Sequence, residues 1–289
     1  MIKGIILAFL AALSWGAAIV MSKKGLEYLD AGGVFFWQIG SSVILAWFIL
    51  LIKRKKIQLT RKGILAYSTG IFEPFLAYML TLYGLHFVSA GIASVIFSLE
   101  SVFILILSFF ILSIKVNSPR YFILFLTGSM FGSLMAALPD INNNKILHIT
   151  GYLLIIAGVL SAAFYVVISS KLINSFDPVT LLTGQLTFSF ILSSLFVVIS
   201  DSSIHLPPDS IAIILLSGIL QYFLAFFFYL HSLRWLPIHI AGAMLYFIPL
   251  VALLLSYFFL DEKITIIQGI GSILTVFCIY MINRKYSHD

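Results

Sequence analysis

Apolar stretches long enough to cross a membrane follow one another along almost the whole chain, separated only by short polar breaks, and this recurrence limits the fold more than any other feature. A helix needs about 20 apolar residues to cross a hydrocarbon layer roughly 30 Å thick. Charged and Pro-containing clusters divide the chain into ten expected spans, near 4–22, 32–52, 63–83, 88–112, 120–138, 149–170, 179–200, 210–231, 239–260 and 264–282. The thinnest break is LHFVSAG, where a short turn is expected. With 61% of 289 residues hydrophobic and 10% charged, no room is left for a soluble domain. The expected fold class is an all-α membrane protein.

Lys3 ahead of an apolar run has the look of a secretion signal, but the run is too long and lacks a small-x-small cleavage site, so it is expected to stay as a helix. Cys278, the one cysteine, falls inside the last span, which excludes an intrachain disulfide and leaves packing as its role. Cytoplasmic loops retain Lys and Arg. With both termini inside, thirteen of the seventeen basic residues collect on the cytoplasmic side, KRKK at 53–56 among them, and most acids fall opposite. The net charge of +6 is then a topology signal beside anionic lipid, and no nucleic-acid partner is needed.

Shifted by 147, the sequence lies over itself. GIILAFLAALSWGAAIVMSKK falls on GYLLIIAGVLSAAFYVVISSK, pairing Ser14 with Ser161 and Lys24 with Lys171. The register runs on through Asp30 with Asp177, Gln38 with Gln185 and Ser42 with Ser189. At a shift of 148, GIFEPFLA (70–77) meets GILQYFLA (218–225), and LILSFFIL meets LLLSYFFL. Matched polar positions in one register indicate duplication, with a first five-helix repeat over 1–140 and a second over 141–289. An odd number of spans per unit makes the second copy enter from the opposite side, so the repeats are inverted. Inverted repeats are a recurring architecture of secondary transporters, which bind substrate at the repeat interface near the midplane.

SWG at 14–16, FSLESVF at 97–103, FIPLVALLLSYFFLDEK at 247–263 and the five-plus-five duplication together resemble the EamA-type branch of the drug/metabolite transporter superfamily. The resemblance covers essentially the whole chain. It implies ten helices and the export, or sometimes import, of small metabolites such as amino acids, amines or nucleotide-like compounds without ATP hydrolysis. Two positions depart from the family pattern. Ser101 stands where the fourth span of the family has proline, and Ile248 stands before Pro249 where the ninth would have Glu.

Glu73 and Glu100 are the acids expected within hydrocarbon, where an ionisable side chain costs about 2.5 to 3.5 kcal/mol on insertion scales. Such a carboxyl suits a proton carrier or an anchor for an ammonium group. The competing reading is a protonated Glu bonded to a backbone carbonyl or a neighbouring Ser. Pro74 deprives the Gly70 carbonyl of its helical partner, so Gly70 and Pro74 are an expected kink, as is Pro249 in the ninth span. Gly70 and Ala77 lie a turn either side of Glu73, where small residues would leave space or let helices pack closely. Gln221 occupies the position related to Glu73, with Tyr222 beside it. Trp15 and Tyr246 complete the expected substrate-binding or coupling set by offering aromatic faces to a cation. Tyr78 and Tyr165 read as packing residues, and Gln38 and Gln185 as helix–helix hydrogen bonds.

The expected function is a secondary transporter, an exporter, of a small polar or amine-bearing metabolite (amino acid or amine) by alternating access in the bacterial cytoplasmic membrane. Protons are a candidate coupling ion and a homodimer a candidate assembly. Two alternatives stay open: proton-coupled efflux of lipophilic organic cations, and a membrane scaffold that transports nothing. No cofactor, metal or enzymatic activity is expected, since no phosphate loop, zinc helix or nucleophile set is present in the sequence.

Overall fold

The computed structural model describes residues 1–84, 87, 96–97, 99–113, 118–137, 149–259 and 265–286. The described residues are helical throughout apart from turns and short links, and they form an all-α membrane fold of two repeats. The first span is Ile2–Gly25, the second Ala31–Ile52, the fifth Pro119–Ala137, the sixth Ile149–Leu172, the seventh Pro178–Ser200 and the tenth Ile266–Tyr286. The fourth is described from Leu99–Leu112. The turn expected at LHFVSAG, Phe87 aside, and the repeat boundary at 140/141 lie outside the described residues.

Among the described residues, three spans are interrupted. In the third, Arg61–Tyr67 and Ala77–Gly84 are separated by a tight turn, Ser68–Ile71, and by Phe72–Leu76, where Glu73 leaves helical geometry at φ −150° and ψ 132°. In the eighth, a π-helical turn, Ile219–Leu224, joins Ile211–Gly218 to Ala225–Ser232. The two interruptions fall on the paired octets. The ninth span breaks between Ile238–Met244 and Phe247–Phe259. Pro249 explains the position of that break, because it cannot donate to the Leu245 carbonyl four residues back, which accepts the Ile248 N–H instead at 3.0 Å.

Matched caps start the second and seventh spans. The Asp30 carboxylate accepts the Gly33 N–H at 2.8 Å, and the Asp177 carboxylate accepts the Thr180 N–H at 3.4 Å. Each cap also ties into the other repeat: Asp30 accepts the Ser203 N–H at 2.9 Å, and Asp177 pairs with Lys55 at 3.1 Å.

Helix packing follows the duplication. The first span lies against the eighth and the sixth against the third; the first also meets the ninth as the sixth meets the fourth. The second meets the eighth as the seventh meets the third, while the second and seventh, and the fifth and tenth, pack against each other. These contacts all run between repeats, so the halves interlock and neither has a separate core. Close approach of the fifth and tenth spans depends on Gly128 and Gly132, where a Cβ would run into Cys278, Thr275 and the Gly271 backbone. Cys278 is accordingly a packing residue, buried and unpaired.

Candidate functional site at the repeat interface

Two polar networks related by the pseudo-twofold axis fasten the interlocked helices. In one, the Gln38 amide donates to Ser22 Oγ at 2.7 Å and to Ser217 Oγ at 2.8 Å, and Ser42 Oγ donates to the Gly218 carbonyl at 2.7 Å. In the other, the Gln185 amide donates to Thr69 Oγ1 at 2.8 Å and Ser169 Oγ at 3.4 Å, and Ser189 Oγ donates to the Gly70 carbonyl at 2.7 Å. Gln38 and Gln185 are thus interhelical hydrogen-bonding residues, as their sequence positions predict. Tyr165 belongs with them, its hydroxyl donating to Gln185 Oε1 at 2.9 Å.

Of the two expected roles of Gly70, leaving space beside Glu73 or close packing, the contacts around it are those of close packing. A Cβ there would overlap the Gln185 carbonyl oxygen, and one on Gly218 would overlap the Gln38 backbone. The carbonyl that Pro74 frees at Gly70 is taken by Ser189, so the interruption is satisfied by a neighbouring helix.

Between the networks lies a cluster whose polar groups are not satisfied in this way. Glu73 is 6% exposed, Glu100 is half-buried, and their carboxyls are close enough to interact electrostatically. Among the described residues neither accepts or donates a hydrogen bond. The competing reading, a carboxyl tied to a backbone carbonyl or a Ser, therefore has no such bond behind it in the described residues. Trp15 Nε1, the Tyr229 hydroxyl and the Tyr246 hydroxyl are buried and form no geometrically complete hydrogen bond there, although Trp15 approaches the Tyr78 hydroxyl and Tyr246 the Ser101 hydroxyl. Tyr229 lies within electrostatic range of both carboxyls, and Tyr246 within range of Glu100. The Trp15 and Tyr229 rings meet edge to face with centroids 5.5 Å apart.

The remaining expected residues divide. Gln221 Oε1 accepts from Ser22 Oγ at 2.9 Å, so half of its amide belongs to the interhelical network. Tyr222 is fully buried, with its hydroxyl 3.4 Å from Gln38 Oε1 and its ring against Tyr78 at 4.8 Å. Tyr222 also lies within electrostatic range of Glu73, whereas the Gln221 bond to Ser22 serves the scaffold. Pro249 lies in the first turn after the break in the ninth span, and Ser101, at the related position, donates to the Gly242 carbonyl at 2.7 Å. That bond crosses between the fourth and ninth spans.

Tyr229 was not singled out from the sequence. One signal was available: it lies seven residues after Tyr222, on the same helical face. In a chain with 27 Phe and 13 Tyr, such a spacing does not separate a polar wall from core.

Buried donors and acceptors left unbonded cost about 1 to 3 kcal/mol each. The cluster sets carboxyl acceptors and N–H and O–H donors side by side within aromatic walls. It is therefore complementary to a compact molecule bearing both an ammonium group and a hydrogen-bond acceptor. Trp15, Tyr222, Tyr229 and Tyr246 are buried, while Glu100 keeps part of its surface exposed.

The EamA-like transporter family model matches residues 2–137 and again 149–284. An uncharacterized transporter of Archaeoglobus fulgidus is 27% identical over 286 residues, covering 98% of this chain and 99% of its own. The uncharacterized transporter YoaV of Bacillus subtilis is 24% identical over 290 residues, covering 99% of both. One crystal structure has the same fold, with a TM-score of 0.85 over 99% of this chain and 98% of its own at 13% identity.

Proposed function

The chain belongs to the EamA-like transporter family, each repeat matching its model, and we propose that this membrane transporter moves a small zwitterionic or amine-bearing metabolite, of the amino acid or amine class, by alternating access. Glu73 is its principal ligand and coupling group. The observation behind this reading is that two carboxyls with no hydrogen bond among the described residues share a cluster at the repeat interface with the unbonded Tyr229 hydroxyl and the Trp15 and Tyr246 donors. An ammonium group is met by Glu73 and Glu100, and a carboxylate or carbonyl by Trp15, Tyr229 and Tyr246. A lipophilic cation without an acceptor would leave the Tyr229 hydroxyl unsatisfied, which favours the polar ligand over the multidrug alternative.

The interruptions at Glu73, at Ile219–Leu224 and at Leu245–Tyr246 are the joints that open the cluster to one side or the other. Protons are the coupling ion in this reading, exchanged at Glu73 as the ammonium group arrives or leaves. The direction is export across the bacterial cytoplasmic membrane, a choice that rests on the family likeness, with the bias of Lys and Arg setting only which side holds both termini.

A thermal-shift screen of purified wild-type protein against amino acids, amines and lipophilic cations at two pH values tests the ligand class. Stabilisation by zwitterions or amines, lost in Glu73→Gln, is the expected outcome. Stabilisation by lipophilic cations alone would replace this reading with multidrug efflux.

A further inference from the structure

The residues of the carboxyl cluster come from two groups of helices. The first span packs against the eighth and ninth, and these three carry Trp15, Tyr229 and Tyr246. The sixth packs against the third and fourth, which carry Glu73 and Glu100. A ligand among these residues lies between the two groups, and opening either end of the bundle requires the groups to part at that end.

One hydrogen bond joins the groups at the end that holds the N-terminus. The turn LRWLP (233–237) links the eighth span to the ninth, and Lys3 Nζ lies over its Trp235 ring at 4.8 Å. Within this turn Arg234 Nη2 donates to the Phe176 carbonyl at 3.2 Å. Phe176 belongs with the other group: its N–H donates to the Leu172 carbonyl at 2.9 Å, at the end of the sixth span, and its ring lies 6.2 Å from that of Tyr67 in the third. The charge of Arg234 also reaches the Asp177 carboxylate next in the chain. Tyr229 precedes Arg234 by five residues, a rise of about 7 to 8 Å along a helix, so the bond stands just beyond the cluster on this side. The register at 148 relates Arg234 to His86, so this position carries a permanent cation in the second repeat and not in the first.

We propose that Arg234 is the strap of a gate at this end, which the reading above makes cytoplasmic. Bonded to the Phe176 carbonyl, it holds the first, eighth and ninth spans against the third, fourth and sixth. Its release lets the groups part and admits substrate to the cluster from the cytoplasm. The gate rests on the alternating access proposed above and not on the identity of the ligand.

Electron–electron distance measurements on paired nitroxide labels, in full-length protein without substrate and with Cys278→Ala removing the native thiol, test it. One pair, Ser175→Cys with Trp235→Cys, spans the strap from exposed positions; the other, Tyr28→Cys with Phe87→Cys, occupies the related exposed positions at the opposite end. Arg234→Gln is expected to raise the long-distance fraction of the first pair about fivefold, as loss of one hydrogen bond allows, and to lower that of the second. An unchanged first pair in Arg234→Gln, with two distances present in the parent, overturns the gate and leaves alternating access standing. Broadening of both pairs alike also overturns it, since that marks a residue holding the fold together. A single distance for each pair in both proteins overturns alternating access, and the gate with it.

Discussion

Tyr229 illustrates what a single residue reveals here. Its hydroxyl is buried and unbonded among the described residues, so replacing it with Phe breaks no hydrogen bond and removes a desolvated polar group. Tyr229→Phe is expected to leave the melting temperature in detergent unchanged or slightly raised while weakening substrate affinity about tenfold, the equivalent of one hydrogen bond to a charged group. A melting temperature that falls together with affinity would mean that the hydroxyl serves the fold. Glu73 was legible in the sequence because a carboxyl in hydrocarbon is conspicuous whatever surrounds it. Tyr229 was not, because a tyrosine among many aromatics becomes notable only when tertiary structure denies it a partner.

At the level of the helix, the paired octets do two jobs. Their first residues, Gly70 and Gly218, bring the third and eighth spans onto the seventh and second, and the residues that follow break the helix and face the carboxyl cluster. A methyl added at either glycine meets backbone, which cannot yield as a side-chain tip can. Gly70→Ala and Gly218→Ala are therefore each expected to lose about 1 to 3 kcal/mol of stability, read as lowered denaturation midpoints. The duplication and the break at Pro74 were readable from sequence. The use of Gly70 against the seventh span was not, since small residues beside a carboxyl suit a cavity and a close contact equally well.

The cap of the seventh span adds a pH dependence. Burial works to raise the Asp177 pKa, but the Lys55 bond, the Thr180 N–H and the charges of Lys55 and Arg234 outweigh it and hold the carboxyl below the ordinary aspartate value. A folded value below the unfolded one, about 3.9, contributes stability that is fully present above that pH and is lost as pH falls through the folded value. Thermal melts of wild type and Asp177→Asn should differ by a constant amount near neutrality and converge below about pH 4.

For the whole molecule, the interlocking of the repeats means that folding and transport share one set of contacts. Residues 1–140 or 141–289 expressed alone should fail to accumulate as stable protein, whereas the two fragments produced together should assemble, as judged by co-purification. Stable accumulation of either fragment alone would contradict the interlocked core. Ten spans and two repeats followed from hydropathy and register. Which helices meet did not, because an apolar surface suits lipid and protein equally well, and only the matched polar positions such as Gln38 and Gln185 hinted at the pairing.

The central claim is that Glu73 holds and couples the substrate at the repeat interface. Its most direct test is flux of the best-stabilising amine or amino acid in proteoliposomes across a pH series, comparing wild type with Glu73→Gln. The account predicts pH-dependent flux in the wild type, and in the variant a loss of about tenfold or more in apparent affinity with the pH dependence abolished. Unchanged affinity and pH dependence in Glu73→Gln would contradict it.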